Sequence, residues 1–200
     1  MLMATSMAKL ICEKWRGPPI NPEDIITTML IHDIGNIAKM DFSSLEKLPE
    51  DEKDLSYWQL VQQEFIKKYG ADDHIATFNI ASELRLKPRI LWLVINKIFV
   101  HNEMIAASDD FDLKICAYSD QKTGPDGIVS LKVRFDELKK RYGTKTSASI
   151  NHPRSEYLIK SSFEIEKQVL QFASIGSDDL VNQKISSMTQ SLLRYDLSMK

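Results

Sequence analysis

The chain has 200 residues, 43% of them hydrophobic, with 26 basic against 28 acidic side chains and a formal net charge of −2. That length is enough for one domain with a sizeable core. The balanced charge, with no long block of one sign, argues against a nucleic-acid polymer or an acidic membrane surface as partner.

From Met1 to Trp15, Leu2 or Met3, Met7, Leu10 and Ile11 recur at helical spacing, and Gly17-Pro18-Pro19 stops the pattern. Asn21-Pro22-Glu23-Asp24 combines a capping side chain, a proline at the first helical position and two acids at the positive end of the helix dipole. A second helix should therefore run to about His32. After a loop containing Pro49, Asp54 to Tyr69 carries Leu55, Trp58, Val61 or Gln62, Phe65 and Tyr69 on one stripe, with Gly70 behind it. Asp72 and Asp73 open a helix to about Leu86, and Pro88 starts another that reads on past His101 toward Ala107.

The longest apolar stretch, Ile90 to Val100, is interrupted by Asn96 and Lys97 and falls short of the roughly 20 residues a membrane span needs. It reads as a buried helix. Asp112 to Ser119 is a short apolar helix, Gly124-Pro125-Asp126-Gly127 a turn, and Ser130 to Tyr142 a helix closed by Gly143. Thr144 to Asn151 reads as a linker, followed by a helix from about Pro153 to Ala173. A last helix is capped by Ser177 with Asp178 and Asp179 and lined by Val181, Ile185, Met188 and Leu192. With no convincing strand, these stripes can be buried only helix on helix, so the expected fold is all-α. The methionines at helical spacing, Met1, Met3, Met7, Met29 and Met40, read as core filler. Cys12 and Cys116 stand far apart, and the N-terminal region lacks a signal-peptide pattern, which points to a cytoplasmic protein with reduced thiols.

One constellation rises above background. In Met29-Leu30-Ile31-His32-Asp33-Ile34-Gly35-Asn36 a nitrogen ligand and a carboxylate follow an apolar helix directly. Adjacent helical residues point apart, so both reach one ion only if the helix loosens there, for which Gly35 and Asn36 supply a permissive backbone. Imidazole with carboxylate suits a divalent transition metal (Mn, Fe, Ni, Co or Zn) rather than calcium. Downstream, Lys114-Ile115-Cys116-Ala117-Tyr118-Ser119-Asp120 ends an apolar helix in an aspartate ahead of the Gly124 to Gly127 turn.

His32-Asp33-Ile34-Gly35, with Asp120 closing a Tyr-x-Asp helix before a Pro-x-Gly turn, resembles the HD superfamily of metal-dependent phosphohydrolases over roughly residues 1 to 142. The resemblance implies an all-α HD bundle over 1 to 142; the two C-terminal helices, read from their own pattern, lie beyond it as an extension over 143 to 200, expected to pack on the same domain. It implies that His32, Asp33 and Asp120 are metal ligands, with Asp33 and Asp120 as catalytic carboxylates. The family's fourth ligand, a histidine on the first helix, has no counterpart: its pattern aligns on Ala8 only if that histidine stood just before Met1. The resemblance thus implies either a native start further upstream or a degenerate site.

Some HD relatives use two further histidines for a second metal, a role open to His74, on a face with Phe78 and Ala81, and to His101, three residues after Ile98. Equally, His74 suits an exposed first turn and His101 a satisfied helix end. Lys39, six residues after Asp33, and Arg134, after the Pro-x-Gly turn, are either contacts for a substrate phosphate or surface charges. Tyr118 is expected against the first helix.

The leading expectation is hydrolysis of a phosphoester on a nucleotide or other small phosphorylated metabolite. A non-catalytic HD-type module that binds a ligand or partner is the alternative, and a di-iron HD oxygenase, which needs His74 and His101 beside His32-Asp33, is the third. The two C-terminal helices could cover the pocket, complete the core or form a homodimer interface.

Overall fold

The computed structural model describes residues 1–42, 55–143, 149–176, 180 and 188–195. Among them the chain is all-α apart from one small hairpin. Helices α1 (Leu2–Glu13), α2 (Pro22–Ile31), α3 (Leu55–Tyr69) and α4 (Asp73–Glu83) make the first half; α5 (Pro88–Asn96), α6 (Asn102–Ala107), α7 (Phe111–Gln121), α8 (Leu131–Tyr142) and α9 (Ser155–Phe172) make the second. Short 3₁₀ turns cover Asn36–Lys39, Phe99–His101 and Ser149–Asn151.

Helix starts follow their caps. Asn21 accepts from the Asp24 N–H, Asp72 from His74 and Ile75, Asp110 from Leu113, and Ser130 from Val133. Each such cap is worth about 1 kcal/mol. Gly70 closes α3 at φ +104°, a left-handed position that glycine takes without a Cβ penalty.

Four expectations change. The helix read from Pro88 toward Ala107 is two helices bent by 88°. Asn96 turns its amide back onto the Trp92 carbonyl, and Ile98 is extended at φ −70°, ψ 151°, which ends the α-helical ladder. Among the described residues no single helix is long and apolar enough to cross a membrane, and this bent pair alone approaches the required composition. The Gly124 to Gly127 turn joins two strands, β1 (Thr123–Gly124) and β2 (Gly127–Ile128), paired antiparallel. On α3 the expected stripe is only half-buried, and Trp58 is exposed. The far end of the expected 144–151 linker is packed, with Ile150 buried and the Asn151 amide donating to the Tyr142 carbonyl.

Of the last helix, residues 188–192 are described as helical. Leu192 is buried and the Thr189 hydroxyl meets that of Ser6 on α1, so this part of the last helix packs on the chain's own core. Ser177, Asp178, Asp179, Val181 and Ile185 lie outside the described residues. The main core joins Met7, Ala8 and Ile11 of α1 with Ile25 and Met29 of α2, Ile115 to Tyr118 of α7, and Ile165 and Val169 of α9. A smaller cluster of Ile31, Ala81, Leu86, Ile90 and Val94 seats α4 on α2 and α5.

One ionic clamp registers three helix starts. From α5, Arg89 makes a bidentate pair with Asp110 at 2.8 and 2.6 Å and reaches Asp112 at 3.0 Å. Asp112 in turn accepts the Asn21 N–H at the start of α2, at 2.8 Å. Because α2, α5 and α7 touch along their lengths and share this clamp at their N-termini, they run in the same direction and end on the same side.

Replacing Arg89 by Met should cost about 1–2 kcal/mol, less than the roughly 3–5 of a fully buried broken pair because solvent screens Arg89. For Asp110, burial raises the carboxyl's pKa, but the bonds from Arg89 and the Leu113 N–H outweigh it and leave the group below its ordinary value. A depressed folded value gives stability that is present above the unfolded aspartate pKa, about 3.9, and is lost as pH falls through the folded one. Urea unfolding against pH should show the wild-type and Arg89→Met curves converging in acid; parallel curves would remove the clamp's role.

Candidate metal centre

The centre forms where α2, α5 and α7 end. After Ile31 the chain switches from α to tighter spacing: Ile34 N–H bonds Ile31, Asn36 bonds Asp33 and Ala38 bonds Gly35, each three residues back. This loosened end turns the neighbouring side chains of His32 and Asp33 toward one point, with Nε2 of His32 3.4 Å from Oδ2 of Asp33. Asp120, in the last turn of α7, brings Oδ1 to 3.4 Å from the same Nε2.

The two flanks of α7 have separate tasks. Tyr118, Gln121 and Lys122 face α6 and α9. The Tyr118 hydroxyl and Lys122 ammonium donate to Glu166, while Gln121 and Asn102 exchange amide hydrogen bonds. The Tyr118 ring lies in the core with α1, but its hydroxyl is fastened to α9, an anchor the expectation of packing on the first helix did not include. With that flank held, Cys116 and Asp120, one turn apart, present the other.

His32 is 2% exposed at its side chain, whereas Asp33 and Asp120 keep 33% and 31%. The result is a buried imidazole beneath two carboxylates that solvent can reach. Nδ1 of His32 lies 2.6 Å from the Met29 carbonyl; a carbonyl can only accept, so Nδ1 carries a proton and Nε2 is the nitrogen turned to the carboxylates. Ligand atoms of the three residues all lie within 4.8 Å of one another. The edge of a tetrahedron with ligand bonds of about 2.1 Å is roughly 3.4 Å, so the imidazole-to-carboxylate spacings fit a divalent transition ion.

A fourth group belongs to the centre. Lys97, just past α5 and 1% exposed, donates to Oδ2 of Asp120 at 2.6 Å. Burial works most strongly against its charge, but Asp120 and Asp33 more than compensate and hold the ammonium above the usual lysine range. For Asp120 burial likewise opposes ionisation, yet Lys97 and His32 keep the carboxyl well below its usual range. In the sequence Lys97 is only an interruption of an apolar run; that a lysine falls among otherwise buried residues was the available signal.

The other candidates stand elsewhere. Among the described residues no histidine beyond His32 joins a cluster able to hold a metal. His74 is exposed on the first turn of α4, where the cap by Asp72 places it. His101 sets Nδ1 3.3 Å from the Asn96 carbonyl at the α5–α6 bend. Neither histidine therefore stands in the His32 cluster among the described residues. Lys39 pairs at 2.5 Å with Asp73 and ties the 3₁₀ turn to α4. Arg134 pairs with Glu137 and lines a surface cleft with Gly124, Pro125, Asp126, Val129 and Val133, sharing no residue with the centre. Neither cation is aimed at the His32 cluster. Burial pushes the Cys116 thiol up, and chiefly burial pushes that of Cys12 to about 12, so neither serves as a thiolate at neutral pH.

Gly35 matters for space, since its φ of −80° is open to any residue. A Cβ there would stand 2.3 Å from the Asp73 carbonyl oxygen and 2.6 Å from the Thr77 nitrogen, where Gly35 N–H also donates to the Thr77 hydroxyl. Gly35→Ala should destabilise by about 1–3 kcal/mol and weaken metal binding by shifting Asp33. Gly124→Ala, whose Cβ meets nothing nearer than 3.5 Å, is the control. Equal denaturation midpoints for the two variants would refute the close-approach argument.

Compared with protein-family models, with curated proteins and with solved structures, the chain finds no match in any of the three.

Proposed function

We propose that His32, Asp33 and Asp120 hold a divalent transition metal and that the chain hydrolyses a phosphoester of a small phosphorylated metabolite, a nucleotide being the leading class. The observation that carries this reading is the convergence of one Nε2 and two carboxylate oxygens at 3.4 Å spacings, above a histidine whose other nitrogen is committed to the Met29 carbonyl. The similarity of His32-Asp33-Ile34-Gly35 and Asp120 to the HD pattern supports the choice of reaction. A bound divalent ion supplies Lewis-acid polarisation of a phosphoryl oxygen and lowers the pKa of water.

The chain's own residues divide the remaining work. His32 stays fixed by its Nδ1 bond. Asp33, a third exposed, can accept a proton from an attacking water. Asp120 is positioned by Lys97. A cytoplasmic setting belongs to the same proposal.

A second reading has its own observation. Lys97 already occupies one oxygen of Asp120, and the first helix adds no fourth ligand among the described residues, so the cluster also suits a binding module without turnover. The di-iron reading would need His74 and His101, which do not join the His32 cluster among the described residues.

Metal content and hydrolysis of a nucleotide panel, measured on the wild type and Asp33→Ala, separate these readings. Metal-dependent phosphate release that falls by about a hundredfold or more in Asp33→Ala is the expected result, since a general base contributes roughly 10²–10⁴-fold. Metal binding with no turnover would favour the binding module. No metal bound and no phosphate released in either protein, even with Mn²⁺ or Zn²⁺ supplied in excess, would end the phosphohydrolase proposal.

A further inference from the structure

We infer that Lys97 is a resident cation of the centre: it holds the carboxylates together in the metal-free protein, confines an incoming ion to one oxygen of Asp120, and keeps metal affinity low. The inference rests on the metal reading above.

Three observations carry it. First, the ammonium sits 2.6 Å from Oδ2 of Asp120 while Oδ1 is the oxygen that faces His32. The carboxylate is therefore split, one oxygen for the lysine and one for the imidazole side, and a metal meeting Asp120 there finds a single ligand atom. Second, Lys97 cannot swing into water to make room. Its side chain is 1% exposed, and its backbone lies in the 88° bend between α5 and the 99–107 segment, with its N–H bonded to the Leu93 carbonyl. Third, the ammonium already stands as a positive charge beside the ligand set, on the Asp120 carboxylate that shares the cluster with His32 and Asp33. A fixed positive charge at this distance repels a divalent ion while sharing its ligand.

Removing the charge should therefore turn the centre from weakly to tightly metal-binding, and make the protein depend on the metal it gains. The probes are Mn²⁺ and Zn²⁺, each titrated in competition with a chromophoric chelator against the full chain as wild type, Lys97→Met and Lys97→Met with Asp33→Ala. Thermal unfolding is followed with and without each ion. Lys97→Met should bind the same ion at least about tenfold more tightly than wild type, lose that gain when Asp33→Ala is added, unfold at a lower temperature without metal, and recover more than wild type does when metal is present. Lys97→Gln, which keeps a hydrogen-bond donor for Asp120, serves if Lys97→Met does not fold.

Metal binding through Asp33 in the wild type, with equal or weaker binding in Lys97→Met, would overturn the resident-cation inference and leave the metal site standing. No binding in any of the proteins would overturn both. Failure of Lys97→Met and Lys97→Gln to fold even with metal would also overturn the inference, because a divalent ion should replace the lost ammonium.

Discussion

Three helices of 10, 9 and 11 residues begin at one guanidinium and end at one cluster. The fork of Arg89 binds Asp110 in two places and Asp112 in a third, and Asp112 holds the first N–H of the α2 cap. At about 1.5 Å rise per residue the opposite ends lie roughly 15 Å away, and there His32, Asp33, Lys97 and Asp120 meet. A slip of one residue along any of these helices would move its terminal side chain by about 1.5 Å and turn it by about 100°. The clamp thus does for register what the centre needs, from a distance at which neither touches the other.

The common direction has an electrostatic consequence. Three helix C-termini, each with the negative end of its dipole and unsatisfied carbonyls, close on one region that also contains two carboxylates. One of those carbonyls, from Met29, takes the His32 proton; another, from Leu93, takes the Lys97 N–H. Such a place favours cations, and the chain supplies one from its own sequence. Lys97 is buried at high desolvation cost, which only close charge partners offset, so its persistence in the core and the carboxylates' geometry explain each other.

Beyond the hairpin, α9 is part of the same core. Glu166 collects the Tyr118 hydroxyl and the Lys122 ammonium, and Ser162 and Gln121 bracket the fully buried amide of Asn102. These bonds hold the last turn of α7 by the flank that does not face the centre. The aspartate that matters is steadied through its neighbours, by Glu166 more than forty residues further along the chain and by Asn102 nineteen before Gln121.

How much of this was legible follows from the range of the forces. Helix starts were readable because a cap is decided within four residues: Asn21-Pro22, Asp72-Asp73 and Ser130 each act on their own first turn. The His32-Asp33 dipeptide and Asp120 were readable as ligand types, and the local loosening after Ile31 was foreseen, although its glycine serves close contact with α4 instead of backbone freedom. The break after Asn96 was not, since apolar periodicity continues through it while the backbone turns. Lys97 as a partner of Asp120, Arg89 as the common clamp and the separation of His74, His101, Lys39 and Arg134 from the cluster are decisions of tertiary structure. Pattern in the sequence determines which face of a helix is apolar; only packing decides which ends meet, because charge pairing across 21 or 23 residues depends on distances that no local rule contains.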